Sequence, residues 1–413
     1  MPGAERPCDH CLTFEREIRP WLADAARRRA ELERLLAKIR EAGKGKDFDC
    51  LIGVSGGADS SYLTFVAKTV FGLRPLLFHV DTGWNSRESV HNIERLVDGL
   101  GLDLHTEVID WEEMRDLQLA FFKAGVPHVD TPQDHAIFAA MYRFADEHDV
   151  TFILTGANYA TECIRNPVDW MYYQSDVTQL RDIHRRFGTR PLVRFPTTNI
   201  LWHKVYLPYV KRIRVVRPLN YVGYRKSDAM KILRDKLGWD PYPQKHFESR
   251  FTRFYEGFWL YKRFGYDVRR VQYSSLILTG QMTRDEALEA LRHPPLDDAT
   301  AERELKYVAN KLNISVDELR SYLEGPNRSY RDYRSRAWLY HLGAYVSRLL
   351  GLERGGKRRS QSSRTAWGTF APSPASMNAL ASRSRLQRRP MTCEGHPTSS
   401  FRALARSIGP SRS

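Results

Sequence analysis

The segment 55–60, Ser-Gly-Gly-Ala-Asp-Ser, constrains the fold more than any other part of this 413-residue chain. It follows the apolar run 50–54 and precedes a helical pattern, so a buried strand, a tight turn and a helix are predicted. Backbone N–H groups of such a turn, together with the helix N-terminus, attract phosphate. An ordinary turn needs neither two adjacent glycines nor flanking hydroxyls. We therefore predict a phosphate-binding loop, with these residues facing the ligand: Ser55, Gly56, Gly57, Asp59 and Ser60.

Strands and helices alternate in the first half of the chain. The apolar runs 49–54, 76–80, 104–109 and 151–154 predict strands, and helical patterns start at 60, 88 and 133. This alternation favours an α/β fold with a doubly wound parallel sheet, whose ligand site lies at the carboxyl ends of the strands. The second and fourth strands are followed at that edge by polar, small or aromatic residues that are candidates for ligand contact: Asp81, Trp84, Asn85, Gly156, Asn158 and Glu162.

Four segments are predicted along the chain. Residues 1–44 contain a Cys-x-x-Cys pair and an amphipathic helix over 13–43, and residues 45–170 form the α/β domain. From 171 to 350 the pattern is mostly helical and rich in aromatic and basic residues, which suggests an acceptor-binding part. Residues 351–413 are rich in Ser, Arg and Pro without any period, so we expect a disordered basic tail.

The net charge of +15 is concentrated in this tail, where twelve Lys and Arg residues face a single Glu after residue 353. The tail is an RNA-binding arm or, as we favour, a dispensable extension. The rest of the chain is only mildly basic, so nucleic acid is not the expected partner. We expect a cytoplasmic location without a membrane span, because no run of eighteen apolar residues and no signal-peptide core occurs.

Several stretches together resemble one branch of the pyrophosphate-loop ATP pyrophosphatases, which share a HUP-like fold. That branch is the N-acetyl sugar amidotransferases of bacterial surface-polysaccharide biosynthesis, of the lipopolysaccharide O-antigen type. The matching stretches span about residues 45–292 and read VSGGADSSY, HVDTGWNS, PQDHAI, LTGANYATE, VVRPLNYV, KHFESRFTRF and SSLILTGQMTRDEAL. The resemblance implies that ATP and ammonia convert the acetamido group of a nucleotide-linked sugar into an acetamidino group, with release of AMP and pyrophosphate.

The resemblance also implies roles for single residues. Asp59, Lys245 and His246 are predicted to be catalytic, with Asp59 holding Mg²⁺ through the phosphates. His246 would either pair with a phosphate oxygen or move a proton. ATP contacts are predicted for Asp81, Gly156 and Asn158 besides the loop. Substrate contacts are predicted for Trp84, Asn85, Glu162, Arg181 and Glu248.

Ammonia requires a source. Residue 2 is Pro, and no Cys lies in a nucleophile elbow, so the sequence gives no sign of a glutaminase site. The resemblance implies a separate glutaminase and ammonia-channel pair like that of histidine biosynthesis. Cys8 and Cys11 have the spacing of zinc ligands, but a structural site needs four, so zinc binding stays open.

Two alternatives stand beside this interpretation. One is another adenylating enzyme of the same loop family, either a tRNA-modifying thiolase or an amide synthetase. A thiolase usually needs a cysteine pair near its site, and only Cys163 lies close in sequence to a predicted ligand segment. The other is a non-catalytic RNA-binding protein that uses the basic tail and the aromatic-rich second half of the chain. Its affinity for RNA would fall steeply with salt.

Overall fold

The computed structural model describes residues 8–349 and contains one five-stranded parallel sheet. Its strands are β1 (Cys50–Gly53), β2 (Pro75–Asp81), β3 (Leu104–Val108), β4 (Phe152–Leu154) and β5 (Arg214–Val216). The spatial order is β3-β2-β1-β4-β5, and all neighbours are parallel. The predicted doubly wound α/β fold is thus confirmed. The order reverses between β1 and β4, and ligands bind at such a switch point in open α/β sheets.

The strands differ in burial as their places in the sheet require. Central β1 and β2 are apolar and covered on both faces, as in parallel sheets generally. β3 lies at one edge, and most of its residues are exposed. The sequence patterns did not reveal β5, a three-residue edge strand that pairs Arg214 with Phe152 and Val216 with Leu154. The sheet therefore extends into the segment 171–350, which was expected to be mostly helical.

The described residues contain sixteen α-helices. In chain order, α1 to α8 are Asp9–Thr13, Arg19–Ala23, Ala25–Ala42, Ala58–Thr69, Arg87–Leu100, Trp111–Ala124, Thr131–Glu147 and Tyr159–Glu162. α9 to α16 are Val177–Phe187, Lys226–Leu237, Arg250–Phe254, Arg269–Leu278, Arg284–Ala290, Asp298–Leu312, Val316–Glu324 and Ala337–Leu349. π-helical segments are Phe14–Ile18, Trp202–Val210 and Tyr255–Phe264, and short 3₁₀ turns are Pro218–Asn220 and Tyr330–Asp332.

The single helix predicted over 13–43 is wrong. The helix breaks at Asp24, whose backbone (φ −90°, ψ 81°) leaves the helical region. The Asp24 carboxylate accepts a hydrogen bond from the Arg27 N–H at 2.9 Å, so the break caps the start of α3. The apolar spacing continues across the break and conceals it in the sequence, whereas the capping position of Asp24 is the signal that marks it.

One hydrophobic core connects the sheet with the later helices. Trp84, which follows β2, contacts Trp111 of α6 and Phe251 of α11, and Phe122 packs against Trp259. Residues up to Tyr340 form one compact unit, and the residues from His341 onward belong to a second. The expected tail, 351–413, lies outside the described residues. No helix within residues 8–349 is both long and apolar enough to cross a membrane.

Gly156, just after β4, lets two backbone segments approach each other closely. A Cβ atom at this position would lie 2.7 Å from both the carbonyl carbon of Asp59 and the backbone nitrogen of Ser60. Backbone atoms at the start of α4 cannot turn away as a side chain can. A side chain at residue 156 would therefore push the β4 loop away from the helix.

We predict that Gly156→Ala lowers the free energy of unfolding by about 2 kcal/mol, the usual size of an overpacking defect. Gly53→Ala is the matched control, because its Cβ would meet only the flexible Sδ of Met141 at 3.1 Å. Urea denaturation of both variants measures the difference. Equal stabilities for the two variants would contradict the close approach described here.

Candidate functional site

The loop between β1 and α4 has the shape of an anion cradle. Gly56 adopts φ +77°, and a Cβ there would lie 2.5 Å from the carbonyl oxygen of Ser89, so both conformation and space require glycine. α4 begins at Ala58, directly after the loop. The first N–H groups of a helix have no partner within it and favour a negative ligand. Within the loop, the hydroxyl groups of Ser55 and Ser60 lie 3.4 Å apart.

A cavity of about 260 Å³ opens at this loop, at the carboxyl ends of β1 and β4. Its wall combines the loop with the segment after β4, the start of α10 and the segment 239–248. These parts of the chain are far apart in sequence and meet at the switch point of the sheet. The predicted site residues that line the cavity are Ser55, Gly57, Asp59, Ser60, Gly156, Glu162, Lys245, His246 and Glu248.

Lys245 lines the cavity and is bound by two carboxylates. Its Nζ lies 2.9 Å from Oδ2 of Asp59 and 2.6 Å from Oε1 of Glu162, and it donates a further hydrogen bond to Thr161 at 3.0 Å. Burial alone would lower the pKa of Lys245, but the two carboxylates outweigh it and raise that pKa. The side chain is therefore a fixed cation at neutral pH.

Asp59 is surrounded by donors on both oxygens. Burial would raise the pKa of its carboxyl group, but the charge of Lys245 and the hydrogen bond from the Tyr224 hydroxyl outweigh burial and lower it. Tyr224 donates to Oδ1, while Lys245 donates to Oδ2. Asp59 thus carries a charge that fixes the position of Lys245.

Sequence reasoning missed two residues of this site, Tyr224 and Lys226. Lys226 begins α10, lines the cavity and has no ion pair within the described part of the chain. Burial lowers the pKa of Lys226, and the charge of Asp59 offsets this only in part. The motif VVRPLNYV ends a few residues before Lys226, and this proximity was the available signal. A lysine in the first turn of a helix otherwise resembles any solvated surface residue.

Glu248 lies against the anion cradle. The Ser55 hydroxyl donates to its Oε1 at 3.1 Å, and a Cβ on Gly57 would lie only 2.6 Å from the same oxygen. The carboxylate of Glu248 is thus the anion that lies against the loop in the structure. The loop therefore fits a phosphate oxygen, and Glu248 would have to yield its place to one.

His246 has a strained backbone and an acidic partner. Its φ is +67°, which is uncommon for a residue other than glycine and costs free energy that the surrounding structure must supply. Its Nδ1–H donates to Oε1 of the buried Glu256 at 3.0 Å. Burial would lower the pKa of His246, but Glu256 outweighs it and raises that pKa to about 9. The ring, 42 % exposed, is thus an imidazolium in contact with the cavity.

The structure corrects some predicted contacts. Trp84 is fully buried, donates to Gln118 at 2.8 Å and belongs to the core, so it does not contact a substrate. Arg181 is exposed on α9 and does not line the cavity. Asn158 caps α8 and donates to the Gly156 carbonyl at 2.9 Å, which shapes the loop after β4.

Asp81 and Asn85 form a pair beside the cavity. The Asn85 amide donates to the Asp81 carboxylate at 3.1 Å and to His79 Nε2 at 2.9 Å. Asn85 also bridges to Ser249 in antiparallel fashion. These contacts attach the segment after β2 to the segment that carries Lys245. Direct ligand contact by Asp81 and Asn85 remains a prediction.

The metal predictions find limited support. Both oxygens of Asp59 already accept hydrogen bonds, so direct magnesium ligation would require a donor to move. Sγ of Cys8 and Sγ of Cys11 lie 3.4 Å apart. No group of three or more His, Cys, Asp and Glu residues within 8–349 is arranged to hold a metal ion. Magnesium at Asp59 and zinc at the cysteine pair therefore stay predictions.

Comparison with known proteins finds a family match in the later part of the chain. Residues 248–346 match the family model described as "LPS biosynthesis protein WbpG-like, C-terminal domain". A segment of 133 residues is 29 % identical to one of the subunits of the glutamine-hydrolysing GMP synthase from Archaeoglobus fulgidus. That match covers 31 % of this chain and 40 % of the length of that protein. The predicted relationship to lipopolysaccharide biosynthesis proteins is confirmed by the family match.

Solved structures show weaker likenesses. The U34-tRNA thiolase NcsA from Methanococcus maripaludis, with its [4Fe-4S] cluster, has a TM-score of 0.28 at 14 % identity, over 62 % of this chain and 79 % of that one. NMN synthetase from Francisella tularensis has a TM-score of 0.26 at 15 % identity, with coverages of 54 % and 92 %. NH3-dependent NAD synthetase from Campylobacter jejuni has a TM-score of 0.26 at 14 % identity, with coverages of 53 % and 99 %. Scores this low carry no argument about this chain.

We predict that Glu256→Gln lowers the pKa of His246 from about 9 to near or below its usual 6.5, because burial then acts without the opposing carboxylate. In the wild type the raised pKa stabilises the fold fully below about pH 6.5, and this stabilisation is lost as pH rises through 9. NMR titration of the imidazole measures the shift. Glu289→Gln on exposed α13 is the control, and a His246 pKa that stays near 9 in Glu256→Gln would refute the pairing.

Proposed function

We propose that this chain, which carries a WbpG-like C-terminal domain, is an ATP-dependent amidotransferase that converts the acetamido group of a nucleotide-linked N-acetyl sugar into an acetamidino group. The observation that carries the proposal is the position of Lys245, bound by Asp59 and Glu162 directly beside the anion cradle. Surface-polysaccharide biosynthesis, of the lipopolysaccharide type, is the setting that the matched family supports.

An amide oxygen is a weak nucleophile, and an amide carbon a poor electrophile, so the oxygen must first be activated. In the proposed first step this oxygen attacks the α-phosphorus of ATP, the bond to the bridging oxygen breaks, and pyrophosphate leaves. The product is an O-adenylyl imidate. Negative charge grows on the departing pyrophosphate, and fixed cations and N–H donors near that charge lower the barrier.

The residues of the cavity suit this step. The loop N–H groups and Ser55 would hold the pyrophosphate where the Glu248 carboxylate lies in the structure. Lys245 would keep its positive charge next to the same oxygens, because Asp59 and Glu162 hold its amine in place. Lys226 adds a second cation at the start of α10. Magnesium brought in by ATP would add further positive charge, but no step here depends on it.

In the second step ammonia attacks the imidate carbon, and the carbon–oxygen bond breaks with its electron pair leaving on AMP. The imidazolium of His246 faces the cavity and would donate a hydrogen bond to the phosphate of the leaving AMP. The described cavity wall contains no cysteine, and Cys163 packs in a separate apolar cluster with Phe14 and Ile18. The site therefore supports nitrogen chemistry better than sulfur transfer.

We further propose that nitrogen arrives from a separate glutaminase and ammonia-channel pair. The similarity to one subunit of a glutamine-hydrolysing GMP synthase supports this arrangement, since an enzyme with named subunits consists of more than one chain. The location that suits such a partnership is the cytoplasm, where nucleotide sugars and ATP occur.

Removing the charge of Asp59 tests the first step. We predict that Asp59→Asn lowers sugar-dependent exchange of pyrophosphate into ATP at least about a hundredfold, roughly 2.7 kcal/mol of transition-state stabilisation, because Lys245 loses its main partner. Asp285→Asn, an exposed residue at the start of α13, is the control. Exchange within threefold of wild type in Asp59→Asn would remove Asp59 from the mechanism.

The nitrogen source can be tested on the purified chain. We expect ammonium to support amidine formation with release of AMP and pyrophosphate, and glutamine to support it only after a partner glutaminase is added. Mass spectrometry of the sugar and the nucleotides measures both products. Release of ADP and orthophosphate as the first products would contradict the proposed activation step.

A further inference from the structure

A cluster of buried acidic groups lies behind His246 and has no part in the steps above. We propose that Asp130, Asp134 and Glu256, with the hydroxyl of Tyr255, form the site at which ammonium binds and loses a proton before it attacks the activated sugar. The inference rests on the proposed function, since it supplies the second substrate of that reaction.

The cluster unites two elements of the fold. Asp130 precedes α7, and Asp134 lies in the first turn of that helix. Tyr255 and Glu256 begin the π-helical segment after α11. Asp130 and Glu256 are only 6 % and 4 % exposed, whereas Asp134 is partly exposed. The cluster is therefore buried on one side and reachable by water on the other.

Tyr255 provides an observation that is independent of the carboxylates. Its side chain is 1 % exposed, and its hydroxyl has no hydrogen-bond partner among residues 8–349. Tyr255 lies one helical turn after Thr252, whose hydroxyl donates to Asp130 at 3.1 Å, and it directly precedes Glu256, so it stands beside the acidic groups. Burial, followed by the charges of Asp130, Glu256 and Asp134, raises the pKa of this phenol. A buried hydroxyl without a partner costs free energy, so an absent ligand is expected to complete its hydrogen bonding.

The charges around the cluster favour a small cation. His246 faces it with one positive charge, and its Nδ1 is paired with Glu256. Gln133 and Thr252 donate to Asp130 at 2.6 and 3.1 Å, and Gln174 donates to Asp134. One imidazolium cannot balance three ionised carboxylates, so burial raises the pKa values of Asp130 and Asp134 and favours their protonated forms unless a further cation enters the cluster. Ammonium would supply a positive charge and four N–H donors for the carboxylates and the phenol oxygen.

The same environment suits deprotonation. Burial raises the pKa of Asp130 to about 7, and burial together with the charge of Asp130 raises the pKa of Asp134. A carboxylate with a raised pKa is a stronger base than one in water. In the proposed step one proton moves from ammonium to a carboxylate of the cluster, which leaves neutral ammonia. Its lone pair forms the carbon–nitrogen bond as the carbon–oxygen bond to AMP breaks.

His246 connects the two sites. Its ring is bonded to Glu256 on the acidic side and forms part of the wall of the ATP cavity on the other. In the proposed reaction ammonia formed at the cluster would pass His246 to enter the cavity.

Two variants test the site. Tyr255→Phe removes an acceptor for ammonium without breaking any hydrogen bond in the described residues, and Asp134→Asn removes a charge but keeps the shape. We expect each to raise KM for ammonium about tenfold. Sugar-dependent pyrophosphate exchange, which needs no nitrogen, should be unchanged. Tyr261→Phe, an exposed tyrosine of the same π-helical segment, is the matched control and should leave both unaltered.

The outcomes separate this inference from the proposed function. An unchanged KM for ammonium in both variants would overturn the ammonium site. A loss of pyrophosphate exchange as large as the loss of amidine formation would also overturn it, because the variants would then disturb the first step rather than ammonium binding. Neither result would contradict adenylylation by the wild type. Absence of exchange in the wild type would instead refute the proposed function. Thermal unfolding then still tests the site: ammonium chloride should raise Tm of the wild type but not of Asp134→Asn. An equal rise with potassium chloride would refute selectivity for ammonium.

Discussion

The ion pair between Lys245 and Asp59 is the interaction on which the candidate site depends. It joins the first turn of α4 to a loop nearly two hundred residues later in the chain. A buried lysine is stable only when its charge is compensated, and here Asp59 at the start of α4 and Glu162 at the end of α8 compensate it. The pair therefore fixes both the cation and the geometry of the cavity.

The sheet, the loop after β4 and the contacts of the segment after β2 all help to position this ion pair. The parallel sheet brings the ends of β1 and β4 together, and Gly156 allows the β4 loop to contact the start of α4. The contact between Trp84 and Phe251 and the bridge from Asn85 to Ser249 attach the start of α11 to the segment after β2. Substrate-binding loops on a rigid scaffold are the usual arrangement in α/β enzymes. Here the segment 239–248 contributes Lys245, the cation bound by Asp59.

Much of this architecture could be predicted from the sequence, because local patterns determine it. The loop 55–60 and the first four strands have strong periodic and glycine signals. β5 could not be predicted, because three residues of an edge strand have no distinct pattern. Trp84 was misjudged for a similar reason: an aromatic residue next to a ligand loop has the same local pattern whether it faces substrate or core. Tyr224 reaches Asp59, and Lys226 reaches the cavity, only through the folding of distant segments.

The most direct test of the central claim follows the amide oxygen. The acetamido group of the sugar can be labelled with ¹⁸O and turned over with ATP and ammonium, and the nucleotide product can then be analysed by mass spectrometry. Adenylylation of that oxygen predicts that AMP gains one ¹⁸O for each amidine formed. Unlabelled AMP, with ¹⁸O found in orthophosphate or in water, would contradict the account.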